Sequence, residues 1–198
     1  MKYCFFVFLF IALSCTNRKN ESNKNQKVIV IQPLGSFKTQ QAKKVFEEIK
    51  AINPKVVLRS NISFPENFYY KPRNRYRADS IIKSLKNNIG KDSVIVGLSN
   101  SDIGTTKNGI KDWGVMGLGY RPGNACVIST FRLSPKNRRE QFYKVVLHEL
   151  GHTQGLPHCP EKMCLMRDAE GGNPLDDEKD FCKSCKTYLI EKRWKLKN

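Results

Sequence analysis

The sequence predicts an α/β (α+β) fold: a mainly parallel sheet covered by helices, with an antiparallel edge strand and a long helix late in the chain. Three observations carry this. Short apolar runs alternate with amphipathic helical stretches through the first half. A glycine-rich run then follows where a central strand would be weakened by it. The longest helical pattern comes after that and contains the histidines.

Before any of these elements, Lys2 is followed by CFFVFLFIAL (residues 4–13), an apolar run too short to span a bilayer but suited to a signal-peptide core. Cys4 belongs to it. The next residues, ALSC (12–15), resemble a bacterial lipoprotein processing box, with Ala12 where leucine is more usual. Residues 1–14 therefore read as a lipoprotein-type signal and Cys15 as the lipidated residue. Residues 15–26 read as a flexible polar tether. Residues 27–198 read as one domain. The expected location is a bacterial cell envelope, with export and membrane attachment through the lipid; the plainer alternative is a secretory signal with an incidental cysteine.

Within the domain, KVIVIQPL (27–34) is a buried-strand type of run. TQQAKKVFEEIKAIN (39–53) sets Ala42, Val45, Phe46 and Ile49 at helical spacing before Pro54. A second unit follows, with a strand at 55–60 and a helix carrying Ala78, Ile81, Ile82, Leu85 and Ile89 up to Gly90. SVIVGLS (93–99) supplies a third buried strand. WGVMGLGYRPGNACVISTF (113–131) reads as two strands joined around RPGN, the first an edge strand with backbone groups free to pair with an extended peptide. Ser134 and Pro135 then predict the start of a helix running to Gln154, with Phe142, Val146, Leu150 and Thr153 facing the core.

The 198 residues, 39% hydrophobic, suffice for one ordinary core. A formal charge of +17 invites a nucleic-acid reading, but the cations are scattered over tether, helices and tail with no accompanying motif. A nucleic-acid partner is therefore not expected. A tether beside anionic lipid head groups accounts for part of the excess and a solvated basic surface for most of the rest, and the protein is expected as a monomer.

All three histidines fall within HELGHTQGLPHC (148–159). His148 and His152, four apart, project from one helix face as a metal chelate. Glu149 is offset so that its carboxylate reaches a metal-bound water without binding the metal. Gly155 can adopt the left-handed conformation that ends a helix, which lets the chain return and bring His158 in as a third ligand. The pattern H-E-x-x-H-x-x-G-x-x-H is that of a zinc peptidase: zinc activates the water, and Glu149 serves as general base for peptide-bond hydrolysis. The competing reading is a non-catalytic lipoprotein that binds zinc or peptide, which leaves Glu149 without a purpose.

Cys126 lies in an apolar strand context and reads as a small buried hydrophobe. Cys159, Cys164, Cys182 and Cys185 form C-x4-C and C-x2-C, the second pair opening a helix that carries Tyr188 and Leu189 after Phe181. Such spacing fits either a four-thiolate zinc site or two disulfides. HELGHTQGLPHC, then CLM and FCKSC, closely resemble the archaemetzincins; SNSDIG (99–104) and CVISTFRL (126–133) are similar to segments of that family too. The resemblance spans about residues 27 to 190. It implies a compact metzincin-type zincin fold, a catalytic zinc on His148, His152 and His158, and a structural zinc on the four cysteines. It also implies that Met166 forms the methionine turn beneath the catalytic metal. The loop from Met166 to Cys182 is shorter than the family pattern, and the export signal is not part of that pattern. No tyrosine follows Met166 at the short spacing some metzincins use, so the oxyanion contact stays unassigned.

Overall fold

The computed structural model describes residues 26–197. The expected signal segment, Cys4, Cys15 and the tether as far as residue 25 lie outside these residues. Gln26, expected to end the tether, is already tied in: its Nε2 donates to the Arg193 carbonyl at 2.9 Å.

The main sheet contains β1 (Val28–Pro33), β2 (Val56–Leu58), β5 (Ser93–Ser99), β8 (Gly117–Gly119) and β9 (Ala125–Ser129), in the order β2-β1-β5-β9-β8. The first four neighbours run parallel, and β8 closes the edge antiparallel to β9, with Leu118 opposite Val127. Period-two alternation divides each strand between two cores. On one face Ile29, Val96, Cys126 and Ile128 meet α1 (Thr39–Ile52) and α3 (Arg138–Gln154). On the other, Val30, Ile95 and Val127 meet α2 (Ala78–Lys86). The final helix, α4 (Lys183–Glu191), adds Leu189 to the first core, followed by Trp194.

Three expectations need correction, the first being that α2 runs up to Gly90: it ends at Lys86, short of Ile89. The run at 113–119 is not one strand: Ile110–Val115 (β7) belongs to a second sheet and only Gly117–Gly119 forms the edge of the main one. That second sheet, ordered β3-β4-β6-β7, joins β7 to β3 (Tyr69–Tyr70), β4 (Arg75–Arg77) and β6 (Ile103–Lys107). The long helix also begins later than Ser134 and Pro135, at Arg138 with Asn137 as its cap residue. Residues 135–137 form a turn, and the Gln141 side chain reaches back to accept the Ser134 N–H at 2.9 Å.

Candidate active site

The α3 helix brings His148, Glu149 and His152 to a cleft of about 600 Å³. Its end is set by Gly155 at φ 110°, a conformation open in practice to glycine alone. The Gly155 N–H bonds to the His152 carbonyl at 2.9 Å and the Leu156 N–H to that of Gly151 at 3.1 Å, the two bonds of a Schellman turn. The Tyr188 hydroxyl, from α4, donates to the Gln154 carbonyl at 2.9 Å. A methyl group on Gly155 would lie 2.6 Å from that hydroxyl, so the position excludes side chains on two counts.

The reversal delivers His158 to the same cleft, and each imidazole is oriented by an oxygen on its Nδ1. Leu165 O lies 2.7 Å from that of His148, and Leu156 O lies 2.8 Å from that of His152. A carbonyl can only accept, so both rings carry hydrogen on Nδ1 and leave Nε2 a free lone pair. For His158 the oxygen is Oδ2 of Asp168, at 3.1 Å. One donor atom from each histidine lies within 4.8 Å of the others, and Nε2 of His152 and His158 are 3.2 Å apart. Nitrogens about 2.0–2.1 Å from a tetrahedral zinc stand about 3.3 Å from one another, so the donor set fits that ion. Burial and the neighbouring His152 hold the metal-free His148 imidazole down to about 3, and burial lowers His152 too. Both rings are thus in the neutral form that a metal requires.

Glu149 is 6% exposed and forms part of the cleft wall. Burial pushes its carboxyl up to about 8, opposed by a hydrogen bond from the Gly119 N–H. Gly117 and Gly119 of β8 owe their lack of side chains to this carboxylate: a Cβ at Gly117 would lie 2.6 Å from Oε1, and one at Gly119 3.1 Å from Oε2. The glycines that marked this strand as an edge in the sequence thus have a second role, which spacing alone did not reveal.

The four cysteines also converge, with one sulfur from each within 4.8 Å of the others. They are free thiols, and the Cys159 and Cys182 sulfurs are 3.7 Å apart. A disulfide needs about 2.05 Å, whereas sulfurs about 2.3 Å from a tetrahedral zinc stand about 3.8 Å apart. The geometry therefore fits the thiolate reading and not the disulfide one. Backbone N–H groups of Met166 and Cys182 point to Cys164 Sγ at 3.5 and 3.3 Å, as a sulfur carrying negative charge would favour. Met166 is fully buried and packs its sulfur against Gly151, between the two helical histidines. Cys126 is buried in β9, away from this cluster, as the strand context led one to expect.

Sequence reasoning singled out the three histidines, Glu149, the four cysteines and Met166; it did not find the Tyr188 contact or Asp168, whose link to His158 runs through irregular chain and follows no period. The chain is similar to known proteins over most of its length. Residues 34–192 match the model of peptidase family M54. The archaemetzincin of Methanopyrus kandleri is 31% identical over 143 residues, covering 70% of this chain and 79% of its own. That of Haloquadratum walsbyi is 27% identical over 176 residues, covering 82% and 99%. Among solved structures, the Methanopyrus kandleri archaemetzincin superposes with a TM-score of 0.72 at 24% identity, covering 86% of this chain and 97% of that one. The Archaeoglobus fulgidus archaemetzincin, complexed with malonate, gives 0.69 at 25%, covering 81% and 98%. With a family match over most of its length and the same fold behind it, the chain belongs to peptidase family M54, the archaemetzincins, and is a zinc metallopeptidase.

Proposed function

We propose that His148, His152 and His158 hold the catalytic zinc, that Cys159, Cys164, Cys182 and Cys185 hold a second, structural one, and that Glu149 is the general base of peptide hydrolysis. When bound, the catalytic zinc supplies Lewis acidity, which lowers the pKa of water to roughly 7 and polarises the scissile carbonyl. The chain does the rest. An extended peptide pairs with the open edge of β8, which has a partner strand only on its β9 side among the described residues. Gly117 and Gly119 let the peptide backbone approach the Glu149 carboxylate without an intervening side chain. Glu149 takes a proton from the attacking water and passes it to the departing amine as the C–N bond breaks. Met166 supports the floor under the histidines.

The observation that carries this reading is the buried Glu149 carboxylate in the wall of the cleft that also holds the three histidines. A carboxylate at this position can both take the proton of the attacking water and hand it to the leaving amine. Glu149→Gln should slow hydrolysis by on the order of 100- to 10,000-fold with zinc content unchanged. Unchanged turnover would remove Glu149 from the mechanism. Elemental analysis should find two zinc ions per chain; one ion with oxidised cysteines would remove the structural site. Membership of a peptidase family leaves the non-catalytic binding reading without support.

A further inference from the structure

Glu178 lines the same cleft yet has no part in the chemistry above. It is 2% exposed, and its Oε2 is buried with no hydrogen-bond partner among the described residues. Such an atom is rare in a folded protein, because an unsatisfied buried carboxylate oxygen has lost its water and received nothing in return.

The nearby cations do not satisfy it. Lys144 has three hydrogens to donate, and three oxygens take them: the carbonyls of Leu175 and Glu178 at 2.7 and 2.8 Å and Glu140 Oε1 at 2.7 Å. Its ammonium grips the turn that carries Glu178 without bonding to the carboxylate. Arg167 donates instead to the Lys162 carbonyl at 3.4 Å and lies 3.9 Å from Asp177. Burial pushes the Glu178 carboxyl up to about 7 despite the pull of Lys144 and Arg167, with Asp177 adding to the rise.

Val145 and Leu175 also line this part of the cleft, which gives it apolar walls. Val145 stands four residues before Glu149, about 6 Å along the axis. Peptide residues advance about 3.3 Å each, so this recess serves a residue close to the bond being cut. An apolar channel ending in an unpaired carboxylate matches a side chain with an aliphatic stem and a cationic head.

Resting on the peptidase reading, we propose that Glu178 is a specificity-determining residue that selects peptides with lysine or arginine next to the scissile bond. The ammonium or guanidinium donates to the Glu178 carboxylate, and its stem lies against Val145 and Leu175.

The test uses the zinc-loaded full chain carrying Glu149→Gln, so that peptides bind without being cut. Blocked peptides with lysine, arginine or norleucine at successive positions are titrated calorimetrically, with and without the added change Glu178→Gln. At one position the basic peptides should bind about 10- to 100-fold tighter than the norleucine peptide, the scale of one charge-assisted hydrogen bond. Glu178→Gln should erase that difference while leaving norleucine affinity within about twofold. Equal binding of basic and norleucine peptides at every position, or a basic preference that survives Glu178→Gln, overturns the proposal and leaves the peptidase reading intact. Failure of every peptide to bind overturns both. Melting temperature separates selectivity from structure: loss of an unpaired carboxylate should not lower it, and a marked drop with uniform loss of affinity would reassign Glu178 to the fold.

Discussion

Glu149 shows how a single side chain can set a protein's response to pH. Its pKa, raised by burial to about 8 in the metal-free fold, exceeds its unfolded value of about 4.5. Between those two values the folded state therefore holds more of this proton than the unfolded state does, and the contribution of Glu149 to stability falls as pH rises. His148, lowered to about 3, acts in the opposite sense over its own range, so the comparison must isolate Glu149. Metal-free Glu149→Gln should be more stable than metal-free wild type at pH 8, by a few kcal/mol, and the gap should close toward pH 4. Chemical denaturation of both proteins across that range checks it; a gap independent of pH would mean the carboxylate is not held protonated. The histidines and Glu149 were legible in the sequence because a helix converts spacing directly into direction. Asp168 and Glu178 were not: each reaches the site from irregular chain, where spacing carries no direction.

The same contrast governs the elements. Both early helices and the strands at 28–33 and 93–99 follow their apolar periods closely, whereas β3 and β4, with two or three residues each, are too short to have one. They exist because β6 offers its free edge to β4, and β4 in turn pairs with β3, which is a tertiary cause. The misplaced start of α3 has a different origin. Ser134 and Pro135 are good opening residues, but the chain spends residues 135–137 in a turn, and the Ser134 N–H is held by the Gln141 side chain from the first turns of the helix. At the other end of α3 local chemistry decides. Gly155→Ala should cost about 1–3 kcal/mol for the left-handed backbone, with a further loss from the crowded Tyr188 hydroxyl. Because the turn also positions His158, zinc affinity should fall along with melting temperature. A variant with a lowered melting point and unchanged zinc affinity would separate the turn from the metal site.

Across the whole molecule the histidine and cysteine groups proposed to hold metal are joined by a single peptide bond, between His158 and Cys159. The Cys159 N–H bonds to the Met166 carbonyl at 2.8 Å, and Leu165 N–H to that of Asp180 at 3.1 Å, so the segment between the two sites is stitched at both ends. Adjacent Cα atoms are about 3.8 Å apart, and displacing Cys159 must move His158. Cys164→Ser and Cys185→Ser touch no catalytic ligand, yet both should lower activity and catalytic-zinc affinity together. Full activity after verified loss of the thiolate-bound metal would reduce the cysteine cluster to general stabilisation. The expected anchor at Cys15 remains a proposal at this scale: Cys15→Ser should shift the protein from the membrane to the soluble fraction, and an unmodified thiol found there by mass spectrometry would discard it.

The order of parts along the chain has a consequence for biogenesis. Every residue of the main sheet precedes position 130, and every residue of the two metal groups, together with Glu149, follows position 147. Synthesis proceeds from the amino end, so all five strands of the main sheet have been made before the first histidine, while the helices that complete the first core, α3 and α4, are made together with these residues. A nascent chain with only the helical histidine pair has neither His158 nor any of the four clustered cysteines. If the cysteine group restrains His158 as proposed, the cleft reaches its working geometry only after Cys185, the last of the four cysteines, has been added.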